Sequence, residues 1–220
     1  MSENGGHVST RPPFAPMNAR PGKQPAGGVG SVRIIAGQWR GTRLPVPDRP
    51  GLRPTSDRVR ETLFNWLQPV LPGARVLDLF AGSGALGLEA ASRGAAHVQL
   101  VEADGALAQS LADAAARLDA QGRVAVRRGD ALAFLREDAG EPWDIAFVDP
   151  PFAAGLWPAV LALLPARLAA DAWMYVESPA GHAPEMPADW ALHRESTTRD
   201  VRYALYRRVT LPGILNAANP

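Results

Sequence analysis

Cysteine is absent from the chain. Its absence excludes disulfide bonds, zinc sites built on thiolates and catalysis by a cysteine nucleophile. It also excludes methylation of cytosine at C5, because that reaction needs an attacking thiol. Histidine is scarce too, and His7, His97, His182 and His193 do not have the spacing of metal ligands. We therefore expect no metal site.

Long apolar segments are missing as well. No run of about 18 apolar residues occurs, so the sequence predicts no membrane-spanning helix. The N-terminus lacks the apolar core of a signal peptide. We accordingly expect a cytoplasmic protein that has no membrane partner, and we expect it to be a monomer.

The basic residues are unevenly distributed, and Lys23 is the one lysine among them. The net charge of +1 conceals a charge of +7 over residues 1–60 and of −6 over the remainder. A basic N-terminal segment beside an acidic body is typical of a surface that contacts phosphates. The alternative at this point is a basic tail that is merely solvated.

Composition and periodicity divide the chain into four parts. Residues 1–31 contain six glycines and five prolines, which predicts a disordered tail. Residues 32–68 are predicted to form an extension, with a hairpin over residues 32–46 and a helix that Thr55 or Ser56 caps and that ends near Leu67. Residues 69–209 form the main domain, and residues 210–220 are a C-terminal tail.

The main domain alternates strands with helices. This order predicts an α/β fold of the doubly wound, Rossmann-like type, with a mostly parallel sheet between helices on both faces. Two final segments, at residues 190–194 and 201–209, are predicted to form an antiparallel hairpin at the sheet edge. The other predicted strands span 75–80, 97–101, 123–127, 145–148 and 173–177; the predicted helices span 84–93, 105–118, 131–137 and 156–168.

The turn after the first strand of this domain is glycine-rich and follows a carboxylate. Ligands of such sheets bind at the carboxyl ends of the strands, and glycines let the backbone approach them closely. A carboxylate at Asp78 suits the sulfonium of S-adenosylmethionine, whereas it would repel the pyrophosphate of NAD. The alternative for Asp78 is a capping role in the turn. The predicted cofactor contacts in this turn are Asp78, Phe80, Ala81, Gly82, Ser83 and Gly84.

Carboxylates also end the next two strands. Glu102, followed by Ala103, is placed to accept both ribose hydroxyls of the cofactor. Asp130 is placed to accept the adenine amino group, while the amide of Ala131 faces a ring nitrogen. The alternative for Asp130 is an N-cap of the following helix.

The most specific motif is Phe147-Val-Asp-Pro-Pro-Phe152 at the end of the fourth strand. An amino group on a nucleobase is a poor nucleophile, because its lone pair is delocalised into the ring. The Asp149 carboxylate and the Pro150 carbonyl can accept its hydrogens, and Pro150 with Pro151 stiffens the turn. Phe152 offers a ring face for a flipped-out base. The alternative is a rigid turn with a packed phenylalanine.

Four blocks of the sequence together resemble a known family, the bacterial 16S ribosomal RNA guanine-N2 methyltransferases (small-subunit rRNA methyltransferase D). They are residues 33–41, 52–67, 77–89 and 148–152. The resemblance implies a class I methyltransferase fold, with a seven-stranded sheet and an N-terminal hairpin extension. It also implies methyl transfer from S-adenosylmethionine, leaving S-adenosylhomocysteine, to N2 of one guanine in 16S rRNA of the assembling small subunit.

The N-terminal extension then becomes the predicted RNA-facing part. Its arginines are candidates for phosphate contacts, Trp39 for stacking on a base, and Thr55 for a position over the cofactor mouth. The alternative for each arginine is an ordinary surface residue. The arginines are Arg33, Arg40, Arg43, Arg53, Arg58 and Arg60, and Pro151 completes the predicted substrate contacts.

Three other functions remain compatible with the motifs. A DNA adenine-N6 methyltransferase is one, because the Asp-Pro-Pro-Phe corner serves that chemistry too. An RNA-binding module that holds the cofactor without catalysis is another, and an NAD-dependent oxidoreductase is the third. The lack of a separate target-recognition domain argues against the DNA enzyme.

Overall fold

A computed structural model describes residues 1, 30–47, 49, 55–137 and 140–210. Most of the predicted N-terminal tail, the C-terminal tail from residue 211 onward and the predicted RNA contact Arg53 lie outside the described residues. Within them, no helix is both long and apolar enough to cross a membrane.

The extension begins with a hairpin of two short strands, β1 (Gly30–Arg33) and β2 (Arg43–Val46), which pair antiparallel. The predicted start at residue 32 was two residues late, because Gly30 pairs with Val46 and Ser31 with Pro45. The connecting turn depends on Gly37, whose φ is +81° and whose missing Cβ would lie 1.9 Å from the carbonyl oxygen of Ser92. The hairpin is therefore seated directly on the main domain.

Helix α1 (Asp57–Leu67) follows, with its apolar face directed inward. Ser56 is the N-cap, since its side chain accepts a hydrogen bond from the amide of Val59. The buried apolar residues are those that the helical spacing predicts: Val59, Leu63, Phe64 and Leu67.

The main domain has seven strands in the order β5-β4-β3-β6-β7-β9-β8. Strands β3 to β7 are parallel, and β9 runs antiparallel between β7 and the edge strand β8. The predicted fold class and the predicted edge hairpin are confirmed. The elements are β3 (Arg75–Asp78), α2 (Ala85–Ser92), β4 (His97–Glu102), α3 (Gly105–Arg117), β5 (Val124–Arg128), α4 (Ala131–Arg136), β6 (Trp143–Val148), α5 (Trp157–Leu163), β7 (Leu168–Pro179), β8 (Trp190–Thr197) and β9 (Val201–Arg208).

One helix ends earlier than its sequence pattern predicts. The prediction extended to residue 168, but α5 stops at Leu163 and a 3-10 turn, Leu164–Arg167, follows. Pro165 lies in that turn, and a proline has no backbone N–H to continue an α-helix. Leu168, the last residue of the predicted helix, instead begins β7, where it lies opposite Trp143 of β6.

Two apolar clusters cover the two faces of the sheet. The first contains buried residues of α1, α2 and α3, and the second those of α4 and α5. Along β6 and β7, Phe147 and Tyr175 belong to the first cluster, whereas Ala146 and Met174 belong to the second. This alternation determines which face each residue at a strand end adopts.

Candidate active site at the carboxyl ends of the parallel strands

The glycine-rich turn between β3 and α2 is tightly packed at its glycines. Gly82 and Gly84 have φ values of +50° and +76°. A Cβ on Gly84 would lie 2.5 Å from the side chain of Leu111, and one on Gly87 would lie 2.2 Å from Leu100. These glycines therefore permit both the tight turn and the close packing of α2 on the sheet.

Asp78 ends β3 beneath this turn and is almost completely buried. Its Oδ2 accepts a hydrogen bond of 3.0 Å from the Gly87 amide. Asp78 therefore does cap the backbone that follows the turn, as the alternative interpretation predicts. Burial raises the pKa of Asp78 to about 7, and the negative charge of Glu102 contributes to the rise. Such a carboxyl would gain from a nearby cation.

Glu102 ends β4 and joins three consecutive turns. One carboxylate oxygen accepts a hydrogen bond of 2.7 Å from the Gly82 amide, and the other accepts one of 2.8 Å from the Asp104 amide. The Glu102 carbonyl accepts from the Gly129 amide beyond β5. Asp104 caps α3, as its position after β4 predicts.

Asp130 lies at the next turn and is exposed. Its Oδ1 accepts a hydrogen bond of 2.8 Å from the Ala133 amide, which makes it the N-cap of α4. The same carboxylate has a second oxygen, so capping does not prevent the predicted contact with an adenine amino group. Ala103 is exposed and Ala131 is buried at the first position of α4.

The predicted catalytic corner follows β6 as three residues without regular structure, 149–151, and a 3-10 turn that begins at Phe152. Asp149 is half-buried and Pro150 is buried, while Pro151 and Phe152 are exposed. Phe152 is 45% exposed, which is unusual for a phenylalanine and leaves part of its surface accessible. The alternative of a phenylalanine packed into the core is therefore wrong.

Sequence reasoning did not identify two further groups at this edge, Glu177 and Tyr175 on β7. Glu177 is only 9% exposed, and its Oε2 accepts a hydrogen bond of 2.8 Å from the Tyr175 hydroxyl. Its signal was available, because Glu177 is the last residue of a predicted strand, and Asp78 and Glu102 also lie at or next to the ends of predicted strands.

The acidic groups at this edge lack positive partners. None of the ion pairs within the described residues includes Asp78, Asp149 or Glu177. Burial raises the pKa of the Asp149 carboxyl well above its ordinary value, and the charges of Glu177 and Asp78 raise it further. Burial also raises the pKa of Glu177, although the Tyr175 hydroxyl opposes that rise. The edge is therefore suited to a ligand that carries positive charge or hydrogen-bond donors.

Two predicted RNA contacts are corrected by the structure. Arg60 is 2% exposed and is bound by Asp57, Glu89 and the carbonyl of Arg33, so it cannot reach a phosphate. Trp39 is 8% exposed and packs in the first apolar cluster, with the guanidinium of Arg123 over its ring. Both residues join the extension to the main domain.

The other predicted contacts of the extension lie at its surface. Arg40, Arg43 and Arg58 are exposed, and Arg33 is exposed but paired with Asp57 at 2.6 Å. A groove of about 470 Å³ between the hairpin and the start of α1 is lined by Arg33, Arg43 and the half-buried Thr55, among others. No cluster of three or more metal-ligating side chains occurs in the described part of the chain.

Comparisons with known proteins agree on one family. The model of the family described as conserved hypothetical protein 95 matches residues 32–207. Ribosomal RNA small subunit methyltransferase D of Escherichia coli is 54% identical over 184 residues, which cover 82% of this chain and 92% of that protein. The protein of the same name from Haemophilus influenzae is 43% identical over 182 residues, covering 81% of this chain and 94% of that protein.

Solved structures agree with this result. A methyltransferase structure from Escherichia coli matches with a TM-score of 0.76 and 51% identity, covering 82% of this chain and 99% of that chain. A methylase structure from Haemophilus influenzae matches with a TM-score of 0.72 and 39% identity, covering 82% of this chain and 100% of that chain. The predicted resemblance is confirmed: the chain belongs to the family described as conserved hypothetical protein 95, in which its similar curated relatives are named ribosomal RNA small subunit methyltransferase D.

Proposed function

We propose that this chain transfers the methyl group of S-adenosylmethionine to the exocyclic N2 of a guanine in 16S rRNA of the assembling small ribosomal subunit. One observation carries the proposal. Asp149 lies at a proline-stiffened corner beside two other carboxyls without cations, and an exposed aromatic ring follows it. The relatives named above carry rRNA methyltransferase names, which support an rRNA rather than a DNA substrate.

The residues at the strand ends fit S-adenosylmethionine. The ligand carries a positively charged sulfonium, which the buried carboxyl of Asp78 would stabilise. Glu102 lies one strand away and is placed for the ribose hydroxyls, while Gly82 and Gly84 allow close approach of the backbone. When bound, S-adenosylmethionine supplies an activated methyl group, so the transfer requires no metal and no covalent enzyme intermediate.

The corner after β6 would prepare the acceptor amine. The Asp149 carboxylate and the Pro150 carbonyl accept the two amine hydrogens and hold the nitrogen lone pair directed toward the methyl carbon. The amine nitrogen would take the methyl group that bound S-adenosylmethionine supplies, with the carbon–sulfur electron pair left on the sulfur of the product. Asp149 would accept the proton that the methylated nitrogen loses.

Phe152 would hold the base after it leaves its stack. An exposed ring at this position offers a stacking surface, which contributes about 1–3 kcal/mol per base. Arg40, Arg43 and Arg58 are exposed on the extension, where they are available for phosphate contacts. We propose that a monomer suffices for these contacts.

The test is a methylation assay with labelled S-adenosylmethionine and three substrates: free 16S rRNA, unmethylated small subunits and duplex DNA. We expect label in the small subunits, and N2-methylguanine as the labelled nucleoside after digestion and chromatography. Label in duplex DNA, or in a nucleoside other than N2-methylguanine, would contradict the proposal. Mass spectrometry of the labelled fragments would then identify the modified position.

A further inference from the structure

An acidic side chain outside the predicted site faces the same space as Asp149. Strands β6 and β7 are parallel neighbours with Val148 opposite Val176, so Asp149 and Glu177 each follow one member of that pair. Phe147 and Tyr175, two residues earlier, both lie in the first apolar cluster. Because strand side chains alternate, Asp149 and Glu177 emerge on that same face.

The electrostatics agree with this placement. The charge of Glu177 is, after burial, the largest cause of the raised pKa of Asp149. A charge acts in this way on a neighbour in a poorly solvated site, which agrees with the adjacent positions that the strand register gives the two residues. The two carboxyls therefore form an adjacent pair at one edge of the sheet.

Glu177 is held in place with half of its carboxyl available. The Tyr175 hydroxyl donates to Oε2, and among the described residues no donor reaches Oε1. Tyr175 is itself completely buried, and its ring packs edge-on against Phe147 at 6.2 Å. A buried carboxyl with one oxygen positioned by a rigid phenol and the other without a donor is incomplete by itself.

The chemistry of the purines indicates which donor could bind the free oxygen of Glu177. Asp149 and Pro150 accept hydrogens from an exocyclic amine, and either guanine or adenine could supply that amine. The neighbouring ring nitrogen differs, since N1 of guanine carries a hydrogen and N1 of adenine is an acceptor. A second acceptor oxygen beside Asp149 therefore matches guanine and opposes adenine.

We propose that Glu177 is a specificity-determining residue, which accepts a hydrogen bond from N1–H of the target guanine while Asp149 and Pro150 hold its N2 amine. Tyr175 is the positioning residue that directs Glu177. This inference rests on the proposed function. Either protonation state of Glu177 retains an acceptor oxygen, so the contact does not require Asp149 and Glu177 to be ionised at the same time.

The test replaces the target guanine by 2,6-diaminopurine, which keeps the N2 amine and lacks N1–H. Small subunits reconstituted with either base at the modified position are assayed for kcat/KM. We expect the wild-type protein to prefer guanine by about 10–100-fold, the size of a hydrogen bond to a charged group. Equal rates on the two bases would overturn the proposal without any variant.

Glu177→Gln sharpens the test. Its amide can turn to donate to N1 of diaminopurine, so we expect the preference for guanine to fall to within a few-fold. A loss of rate that is equal on both bases would show a merely structural role and overturn the proposal. Thermal unfolding and S-adenosylmethionine titration of the variant establish that it folds and binds the cofactor.

Tyr175→Phe is the second variant, because it keeps the ring packing and removes only the hydroxyl. We expect it to lose part of the preference for guanine, and an unchanged preference would remove Tyr175 from the assignment. Asp171→Asn, an exposed carboxyl on the same strand, is the matched control. If the wild-type protein fails to methylate the guanine subunits at all, the proposed function fails; if it methylates them without preference, only the role of Glu177 fails.

Discussion

Two buried acidic regions of this molecule have opposite environments. Glu89 in α2 is completely buried, and its carboxylate accepts hydrogen bonds from the amides of Ile35 and Ala36 and from the guanidinium groups of Arg60 and Arg93. Asp78, Asp149 and Glu177, at the sheet edge, have no ion pair among the described residues. The negative charge of the first region is balanced by two arginines, whereas the carboxyls of the second region have no positively charged partner among the described residues.

The difference indicates which carboxylates serve structure and which serve chemistry. Glu89 holds the hairpin and α1 on the main domain, because its partners come from the hairpin turn, from α1 and from Arg93, the residue that follows α2. A buried carboxyl without a positively charged partner destabilises the fold unless a ligand supplies the missing charge or donors. Proteins keep such groups where binding or catalysis requires them.

The largest effect is expected from Asp149→Ala. Turnover should fall by about 10³-fold, because one of the two acceptors that orient the amine is lost. S-adenosylmethionine affinity should remain close to wild type, and folding stability should be equal to that of the wild type or higher, since the removed carboxyl has no ion pair. Single-turnover methylation and calorimetric titration measure the two quantities. Asp171→Ala is the surface control, and wild-type turnover in Asp149→Ala would remove Asp149 from the mechanism.

Glu89→Gln should reverse this pattern. Without the charge of Glu89, the positive charge of the buried Arg60 is less well balanced. Breaking a buried ion pair costs about 3–5 kcal/mol. Urea unfolding should show a loss of about 3 kcal/mol. The matched control is Glu141→Gln, whose partner Arg75 lies 2.8 Å away and whose side chain is 76% exposed; about 0.5 kcal/mol or less is expected there. Equal losses in the two variants would contradict the comparison.

The sheet edge should also make stability depend on pH. The pKa of Asp78 is raised to about 7 in the folded chain, above its ordinary value of 3.8, so the folded state binds more protons between these values. The free energy of unfolding should therefore fall as pH rises from about 4 to about 7, by at most about 1.4 kcal/mol per pH unit for this group. Asp78→Asn should reduce the slope, as urea titrations at several pH values would show. A slope identical to wild type would contradict the assignment.

The smallest effect separates two arginines of the extension. Arg40 is exposed and Arg60 is buried, so Arg40→Ala should leave stability unchanged and weaken rRNA binding a few-fold. The logarithm of the affinity decreases linearly with the logarithm of the salt concentration. The magnitude of this negative slope should be smaller by about 1 in the variant, as expected for one lost phosphate contact. Filter binding over a salt series measures it. Arg136→Ala, an exposed arginine on α4, is the control; the same slope in wild type and Arg40→Ala would exclude a phosphate contact.

Much of this architecture could be predicted from local patterns. Alternating strand and helix signals predict the parallel sheet, because the central strands β3 and β6 are buried on both faces and helices such as α1 and α3 show one apolar stripe. Carboxylates at strand ends, as at Asp78, Glu102 and Asp149, must converge, since parallel strands end at one edge. The extended length of β7 was not predictable in this way, because its first residue pairs with β6 and its last two pair with β9.

The sequence alone determined the family, the fold class and the corner of Asp149 and Pro150, since these depend on contiguous residues with strong local preferences. Only the tertiary structure decided which charged side chains are buried and paired and which are exposed to solvent. Arg60 and Arg40 look equivalent along the chain, yet one meets Glu89 in the core and the other faces solvent. The role proposed for Glu177 likewise depends on its position beside Asp149 of the neighbouring strand. Electrostatic free energy depends on distance and burial in space, not on separation along the chain.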